Sequence, residues 1–186
     1  ISTNIHGALG LPSSVRNYET KHACYSGVAA LDSAINWIAS GLNHGKKALV
    51  ISTDFSRMHL GAKEEFVLGG VAAALLVSDS PRVVEYELER RGTWTTNAYD
   101  TFRPSARAEV GNNEGSLFTY MDAIEGAFGE FSRNSQGGVD FDTGGGQFSV
   151  PHAGVDVAQG EVAARLLRAD VQGAAGADGV EVQVAP

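Results

Sequence analysis

The sequence contains a single cysteine, Cys24, in the segment Lys21-His22-Ala23-Cys24-Tyr25-Ser26-Gly27. A polar, turn-rich stretch precedes this segment and a long amphipathic run follows it, so we expect the thiol at or near the first turn of a helix. The N–H groups and macrodipole at a helix N-terminus stabilise anions, and a thiol placed there tends toward a lowered pKa and greater reactivity. Cys24 is therefore the first candidate for a nucleophile, although a lone cysteine is also commonly a small buried apolar residue.

Nucleophilic catalysis by cysteine usually needs an acid or base partner and a site that stabilises an oxyanion. The chain offers five histidines as partners: His6, His22, His44, His59 and His152. The backbone constrains His22, only two residues from Cys24, and the sequence around the next three predicts loops or polar connectors. We favour His152, which follows Phe148-Ser149-Val150-Pro151 at the expected end of a strand, where α/β sheets commonly build sites. Periodicity alone does not decide this, since a lone histidine is usually structural or solvated.

Other polar or glycine-rich motifs have simpler explanations. The run Gly144-Gly145-Gly146 lacks the Lys-Ser/Thr pair of a P-loop and precedes no clear helix, so we interpret it as a flexible loop. The charged residues of segment 85–91 fit the solvated face of a strand, and Glu64-Glu65 fits an ordinary surface.

Hydrophobic periodicity predicts the elements that position these residues. A helix is expected from about Cys24 to Leu42, because apolar residues recur there at three- and four-residue steps. The members of this stripe are Val28, Leu31, Ile35, Ile38 and Leu42. The apolar run Ala48 to Thr53 that follows predicts a strand buried on both faces.

The rest of the chain alternates between strand and helix patterns. We expect loop over 1–20, a strand or buried helix over 71–77, a half-buried strand over 84–88, and turns over 92–113. Five spaced apolar residues predict a second helix: Leu117, Met121, Ile124, Phe128 and Phe131. A short strand is expected over 147–150 and a helix over 161–168. This order predicts an α/β layered domain.

Composition narrows the class of protein. The 186 residues suffice for one domain with a core, and 43% hydrophobic with 19% charged residues is typical of a globular chain. The formal charge of −8 argues against a general nucleic-acid binder, and no apolar run reaches the roughly 20 residues of a membrane helix. One cysteine leaves no intrachain disulfide and too few thiols for a structural zinc site, so no metal is expected. We expect a cytoplasmic location, because the first residues do not resemble a signal peptide.

Several segments, in order, resemble the hydroxymethylglutaryl-CoA synthase branch of the thiolase-like condensing enzymes. They are Ala23 to Gly27, Lys47 to Asp54, Gly69 to Val77, Asp100 to Pro104, Ser116 to Ala123 and Phe148 to Ala153. The resemblance covers about residues 15–168. It implies an α/β, thiolase-like layered fold, in which residues 1–110 form the end of the first half and residues 111–186 the start of the second half, as one structural unit.

The resemblance also implies roles for individual residues. Cys24 would take an acyl group from a CoA or carrier-protein (phosphopantetheine) thioester, and its backbone N–H would form part of the oxyanion hole. His152 would donate a hydrogen bond or proton to the keto oxygen of the acceptor thioester. The family further implies acyl-CoA or an acyl carrier protein as partner, a homodimer, and no tightly bound cofactor.

Three departures from the family pattern bear on activity. The family's general base is a Glu well upstream of the cysteine, where this chain has only 23 residues and Glu19 sits in no matching motif. The family's downstream Asn and Gly-Ser-rich loop are absent, and Gly154-Val155-Asp156-Val157-Ala158 replaces an apolar stretch after His152. We therefore expect the central part of a condensing enzyme: a fragment, a chain completed by a partner, or a degenerate copy.

Other functions stay open beside condensation. A decarboxylative ketoacyl synthase or simple acyltransferase also uses Cys and His, and the absence of an upstream Glu from a complete sequence would favour it. A non-catalytic partner within a thiolase-like dimer would carry an inert Cys24. A cysteine hydrolase would release free acid without a second substrate.

Overall fold

The computed structural model describes residues 1–55, 60–62, 65–67, 69–80, 84–105, 108–135, 148–149, 161–169 and 180–184. Its helices are α1 (Ser2–Ala8), α2 (Ser26–Ala39) and α3 (Asn113–Asn134), with a 3-10 turn at Glu65–Val67. Its strands are β1 (Ala48–Phe55), β2 (Gly70–Ser78), β3 (Val84–Thr95), β4 (Thr101–Ser105), β5 (Ala108–Gly111), β6 (Phe148–Ser149), β7 (Glu161–Ala169) and β8 (Val180–Val184).

Six of these strands form one mixed sheet in the order β1-β2-β8-β3-β7-β6. β1 pairs antiparallel with β2, whereas β8 lies parallel to both β2 and β3. β7 is antiparallel to β3 and to β6. The strands β4 and β5 form a separate antiparallel pair. Helices packed on a mixed sheet confirm the predicted α/β class.

Helix α2 packs on the β1–β2 end of the sheet and forms the main core there. Ile35 and Ile38 are buried against Val50, Val77 and Tyr86, which come from three different strands. The three- and four-residue spacing in the sequence predicted this face of the helix correctly. The helix ends at Ala39, so Leu42, the last member of the predicted stripe, lies beyond it and is exposed.

Helix α3 packs on β3 through two alanines together with Phe131, the last member of the predicted apolar stripe, whereas the first two members of the stripe are exposed. Ala123, Ala127 and Phe131 are buried, whereas Leu117 and Met121 are more than half exposed. The cause is the close approach of the two backbones. A Cβ built on the strand residue Gly92 would lie 2.0 Å from the Ala127 carbonyl oxygen and 2.4 Å from the Phe131 amide nitrogen. Glycine on the strand and alanines on the helix allow the two backbones to lie this near each other.

The predicted burial of strand β1 on both faces is wrong. The run 48–53 is a strand, as predicted, but it is not buried on both faces. Val50 is its only buried residue and Leu49 is 47% exposed. Among the described strands β1 stands at the edge of the sheet, and α2 packs against it.

Local composition misassigned three other segments. Residues 161–168, expected as a helix, form strand β7, which pairs with β3 over most of its length. Residues 2–8, expected as loop, form helix α1, and the expected turns of 92–113 include the end of β3 and the β4–β5 pair. The run 71–77 is a strand, not a helix, and the short strand expected over 147–150 is β6.

Candidate active site

The structure places Cys24 immediately before helix α2, as the sequence predicted. The helix begins at Ser26 and Tyr25 is its N-cap residue, so the thiol is two residues outside the first turn. Cys24 is exposed, whereas the neighbouring Tyr25 is buried. A small-molecule thioester can therefore approach the sulfur while the adjacent residue fixes the backbone in the protein.

Two overlapping turns hold the backbone on either side of the thiol. The Tyr25 N–H donates to the His22 carbonyl (3.1 Å), and the Ser26 N–H donates to the Ala23 carbonyl (3.2 Å). Ala23 has a φ of +42°, in the left-handed region that glycine normally occupies. Such a conformation costs an alanine about 1–2 kcal/mol and persists only where its surroundings enforce it.

The hydroxyl of Ser26 makes two further hydrogen bonds within the same loop. Its Oγ accepts a hydrogen bond from the His22 N–H (2.5 Å) and donates one to the Ala23 carbonyl (2.8 Å). The Thr20 hydroxyl in turn donates to the Ser26 carbonyl (2.9 Å). Ser26 thus bonds to the residues just before Cys24 from a position at the start of the helix. Sequence reasoning did not single out Ser26, because its role depends on the unusual φ of Ala23.

His22 packs against Tyr25 and is partly exposed. The two rings meet edge to face with their centroids 5.6 Å apart. The His22 Nε2 atom is buried and has no hydrogen-bond partner among the residues that the structure describes. The ring therefore packs at the base of the Cys24 loop, and the expectation that His22 is not the catalytic partner stays a prediction.

Helix α2 meets strand β1 closely just after the thiol. A Cβ built on Gly27 would lie 2.6 Å from the Ser52 Oγ. A glycine at this position lets the first turn of the helix lie directly on the strand. The position of Cys24 is thereby tied to the edge of the sheet.

The remaining candidate residues lie away from this loop or outside the described ranges. The His6 Nε2 lies 3.0 Å from the Pro12 carbonyl, and His44 is exposed in a turn with a φ of +49°. His59, His152, the family's motif around His152 and Gly144-Gly145-Gly146 all fall outside the described residues. The assignment of His152 as the partner of Cys24 therefore stays a prediction.

Glu19 is held in a structural contact. Its carboxylate accepts hydrogen bonds from the Ile1 amino group and from the Ser2 N–H (2.7 Å). These hydrogen bonds, the one from the amino group foremost, lower the pKa of Glu19 to about 2. Glu19 is therefore engaged by the backbone at the start of α1.

Asp100 is a buried carboxylate. Sequence reasoning named it only as the first residue of the segment Asp100 to Pro104. The residue is 8% exposed, and neither carboxylate oxygen has a hydrogen-bond partner within the described part of the chain. Its carbonyl accepts the Asn112 N–H (2.7 Å), which joins the start of β4 to the N-cap of α3. The signal for it was the segment Asp100 to Pro104, which resembles the Asp-Phe-Trp-Arg-Pro segment of the condensing enzymes.

The described ranges contain neither a metal-binding cluster nor a membrane-spanning helix. No group of three or more His, Cys, Asp or Glu side chains there is arranged to hold a metal ion. No helix in this part of the chain is long and apolar enough to cross a lipid bilayer.

Comparison with known proteins now identifies the region around this loop. The sequence model of the family "Hydroxymethylglutaryl-coenzyme A synthase N terminal" matches residues 10–81, which contain Cys24, α2, β1 and β2. The chain belongs to the hydroxymethylglutaryl-CoA synthase family. The resemblance drawn from the sequence motifs is thereby confirmed, and with it the thiolase-like fold.

Individual hydroxymethylglutaryl-CoA synthases extend the match beyond that region. The polyketide biosynthesis 3-hydroxy-3-methylglutaryl-ACP synthase PksG of Bacillus subtilis (strain 168) is 35% identical over 153 residues, which are 77% of this chain and 36% of that protein. The HMG synthase of the curacin biosynthetic pathway superposes with a TM-score of 0.70 at 40% identity, over 76% of this chain and 34% of that chain.

A third relative is MvaS, whose structure was solved in complex with 3-hydroxy-3-methylglutaryl coenzyme A. It superposes with a TM-score of 0.69 at 35% identity, over 73% of this chain and 32% of that chain. The chain therefore spans about a third of the length of these synthases.

Proposed function

We propose that this protein is an acyl-thioester condensing enzyme of the hydroxymethylglutaryl-CoA synthase type, with Cys24 as the residue that carries the acyl group. The observation that supports this most is the placement of Cys24. It is an exposed thiol on a doubly hydrogen-bonded loop just before α2, inside the region that matches the family.

The first step of the proposed reaction is thioester exchange. The Cys24 thiolate attacks the thioester carbonyl carbon, and the new carbon–sulfur bond gives a tetrahedral oxyanion. Collapse of this intermediate breaks the bond to the donor thiol, which leaves as a thiolate and takes up a proton. Backbone N–H groups near the start of a helix stabilise the oxyanion, and the Cys24 N–H is the one that the family resemblance assigns to this task.

The second step forms the carbon–carbon bond. The acetyl carbon loses a proton to a general base and attacks the keto carbon of a β-ketoacyl thioester, and water then releases the product from Cys24. We propose that His152 donates a proton to the keto oxygen. In the family the general base is a Glu well upstream of the cysteine, and Glu19 does not lie in a matching motif.

We further propose that acyl carrier protein delivers the thioester. Two comparisons support this choice over free CoA. PksG is described as a 3-hydroxy-3-methylglutaryl-ACP synthase of polyketide biosynthesis, and the curacin synthase has been solved with its donor-ACP. CoA is the alternative donor, because MvaS is bound to a CoA thioester.

The assembly and location of the protein are proposed on the resemblance and the composition. We propose a homodimer, as is usual for thiolase-like enzymes, and a cytoplasmic location, where a lone reactive thiol stays reduced. The division into 1–110 and 111–186, as parts of the two thiolase-like halves, belongs to the same proposal. Analytical ultracentrifugation and cell fractionation test the first two points directly.

Separating the two half-reactions tests the proposed function. Cys24→Ser should abolish covalent acyl loading without a change in the circular dichroism spectrum. His152→Ala should leave loading within about twofold and lower condensation at least 100-fold, the usual scale of a lost general acid. Loading that persists in Cys24→Ser would overturn the nucleophile assignment, and loss of loading in His152→Ala would give His152 an earlier role. Free acid as the only product would indicate a hydrolase, and loss of CO₂ from a malonyl thioester would indicate a decarboxylative ketoacyl synthase.

A further inference from the structure

We propose that Ser26 is a positioning residue, which sets the reactivity of Cys24 by holding Ala23 in its left-handed conformation. The inference rests on the proposed function of Cys24 as the acylated residue. It goes beyond that function because it assigns a role to a side chain whose hydroxyl bonds to the backbone just before Cys24.

The loop before Cys24 contains a residue in an unfavourable backbone conformation. A φ of +42° at Ala23 is unfavourable for an alanine, so an unrestrained loop would relax to a negative φ and redirect the next residue, Cys24. The backbone hydrogen bonds of the two turns are ordinary in length, at 3.1 and 3.2 Å. Turns of this kind form and open easily, so a further restraint is needed to maintain an unfavourable φ.

Ser26 supplies that restraint with one side chain. Its hydroxyl accepts the His22 N–H and donates to the Ala23 carbonyl, so its two hydrogen bonds join backbone groups on either side of the Ala23 φ rotation. Ser26 is itself fixed, because it is the first residue of α2 and its carbonyl accepts the Thr20 hydroxyl. These two local hydrogen bonds offset the unfavourable φ of the left-handed alanine.

The consequence for Cys24 is a thiol held at a defined position ahead of the helix. Cys24 lies two residues before α2, and a thiol close to a helix start tends to be more reactive than one in a helix middle. If the restraint is removed, the loop samples other conformations and the sulfur spends less time there. Both the thiolate fraction near neutral pH and the rate of attack on a thioester then fall.

Three variants and a matched control test this inference. Ser26→Ala removes the hydroxyl, and Ser26→Thr keeps it. Ala23→Gly combined with Ser26→Ala makes the positive φ free of strain. The control is Ser33→Ala on the same helix, where the lost hydroxyl donates only to the Ala29 carbonyl (2.9 Å) and does not contact the Cys24 loop.

The measurement is the rate of Cys24 alkylation by iodoacetamide as a function of pH, with the thermal unfolding midpoint of each variant. We expect Ser26→Ala to react at least fivefold more slowly at pH 7, with the midpoint of its pH profile shifted toward that of the chain unfolded in urea. Ser26→Thr should stay within twofold of wild type, and Ala23→Gly should restore most of the rate lost in Ser26→Ala. A Ser26→Ala profile that coincides with the Ser33→Ala profile would overturn the inference.

Acyl loading, measured in parallel, separates this inference from the proposed function. If the alkylation profile shifts as expected but no variant loads acetyl from acetyl-CoA, Ser26 positions the thiol and the proposed acylation of this chain is wrong. If wild type loads acetyl but the alkylation profile of Ser26→Ala is unchanged, the proposed function stands and the role of Ser26 is wrong.

Discussion

At the scale of single residues, the chemistry depends on a loop that is more constrained than its length suggests. Five consecutive residues, 22–26, share two backbone turns and two side-chain hydrogen bonds. The sequence predicted that Cys24 precedes a helix, because the polar-to-amphipathic boundary is a local signal. It could not predict the left-handed Ala23, because alanine is not a residue that indicates a positive φ.

Gly27 gives a residue-scale prediction about how α2 is seated on β1. Gly27→Ala places a Cβ 2.6 Å from the Ser52 Oγ, so the helix or the serine must shift. We expect the free energy of unfolding, measured by urea denaturation, to fall by about 1–2 kcal/mol, the usual cost of overpacking.

A second-site change provides the control for this prediction. The next atom that the new Cβ would meet is the Ser52 Cβ at 3.5 Å, an ordinary contact. Ser52→Ala should therefore rescue Gly27→Ala to at least wild-type stability, since alanine is a better helix former than glycine by about 1 kcal/mol. A Gly27→Ala protein that is already as stable as wild type would contradict the close contact.

At the scale of elements, the spacing of apolar residues correctly predicted those helices and strands that local interactions determine. The spacing of Ile35 and Ile38 identified the buried face of α2, and alternation predicted β3, whose Tyr86 is buried. The same reasoning was wrong for β7, where Ala, Leu and Arg suggest a helix. The strand pairs with β3 across more than 60 residues of chain, and such long-range pairing overrides a weak local propensity.

The contact between α3 and β3 makes an element-scale prediction about pH. The Glu130 carboxylate accepts hydrogen bonds from the Thr93 N–H and from the Thr93 hydroxyl (3.0 Å), and these lower the pKa of Glu130 below its ordinary 4.5. A carboxyl whose pKa is lowered on folding stabilises the fold above its unfolded pKa, and this stabilisation is lost as the pH falls through the folded pKa.

Urea denaturation at a series of pH values checks the sign of this effect. At pH 7 we expect Glu130→Gln to be less stable than wild type by about 1 kcal/mol or less, because the carboxylate is close to solvent. The difference should shrink between about pH 5 and pH 3 as Glu130 is protonated. Glu125→Gln, on the exposed side of the same helix, is the control. A difference that grows as the pH falls would contradict the assignment.

At the scale of the whole molecule, the sequence motifs identified the family because they preserve order and spacing over about 150 residues. The same motifs predicted the fold class. They did not predict the order of the strands in the sheet, because β8, the last described strand in the sequence, lies between β2 and β3. Of the two candidate site residues, Cys24 lies just before α2 as the sequence predicted. His152 lies outside the described residues, so its position stays a prediction. A pairing between residues so far apart in sequence needs tertiary information that periodicity does not contain.

The central claim is that Cys24 of this chain accepts an acyl group, and intact mass spectrometry tests it most directly. The purified protein is incubated with and without acetyl-CoA, beside Cys24→Ser as the control. We predict that the wild-type mass increases by one acetyl group, that the adduct maps to Cys24, and that the variant mass does not change. An unchanged wild-type mass, or an equal increase in Cys24→Ser, would contradict the claim.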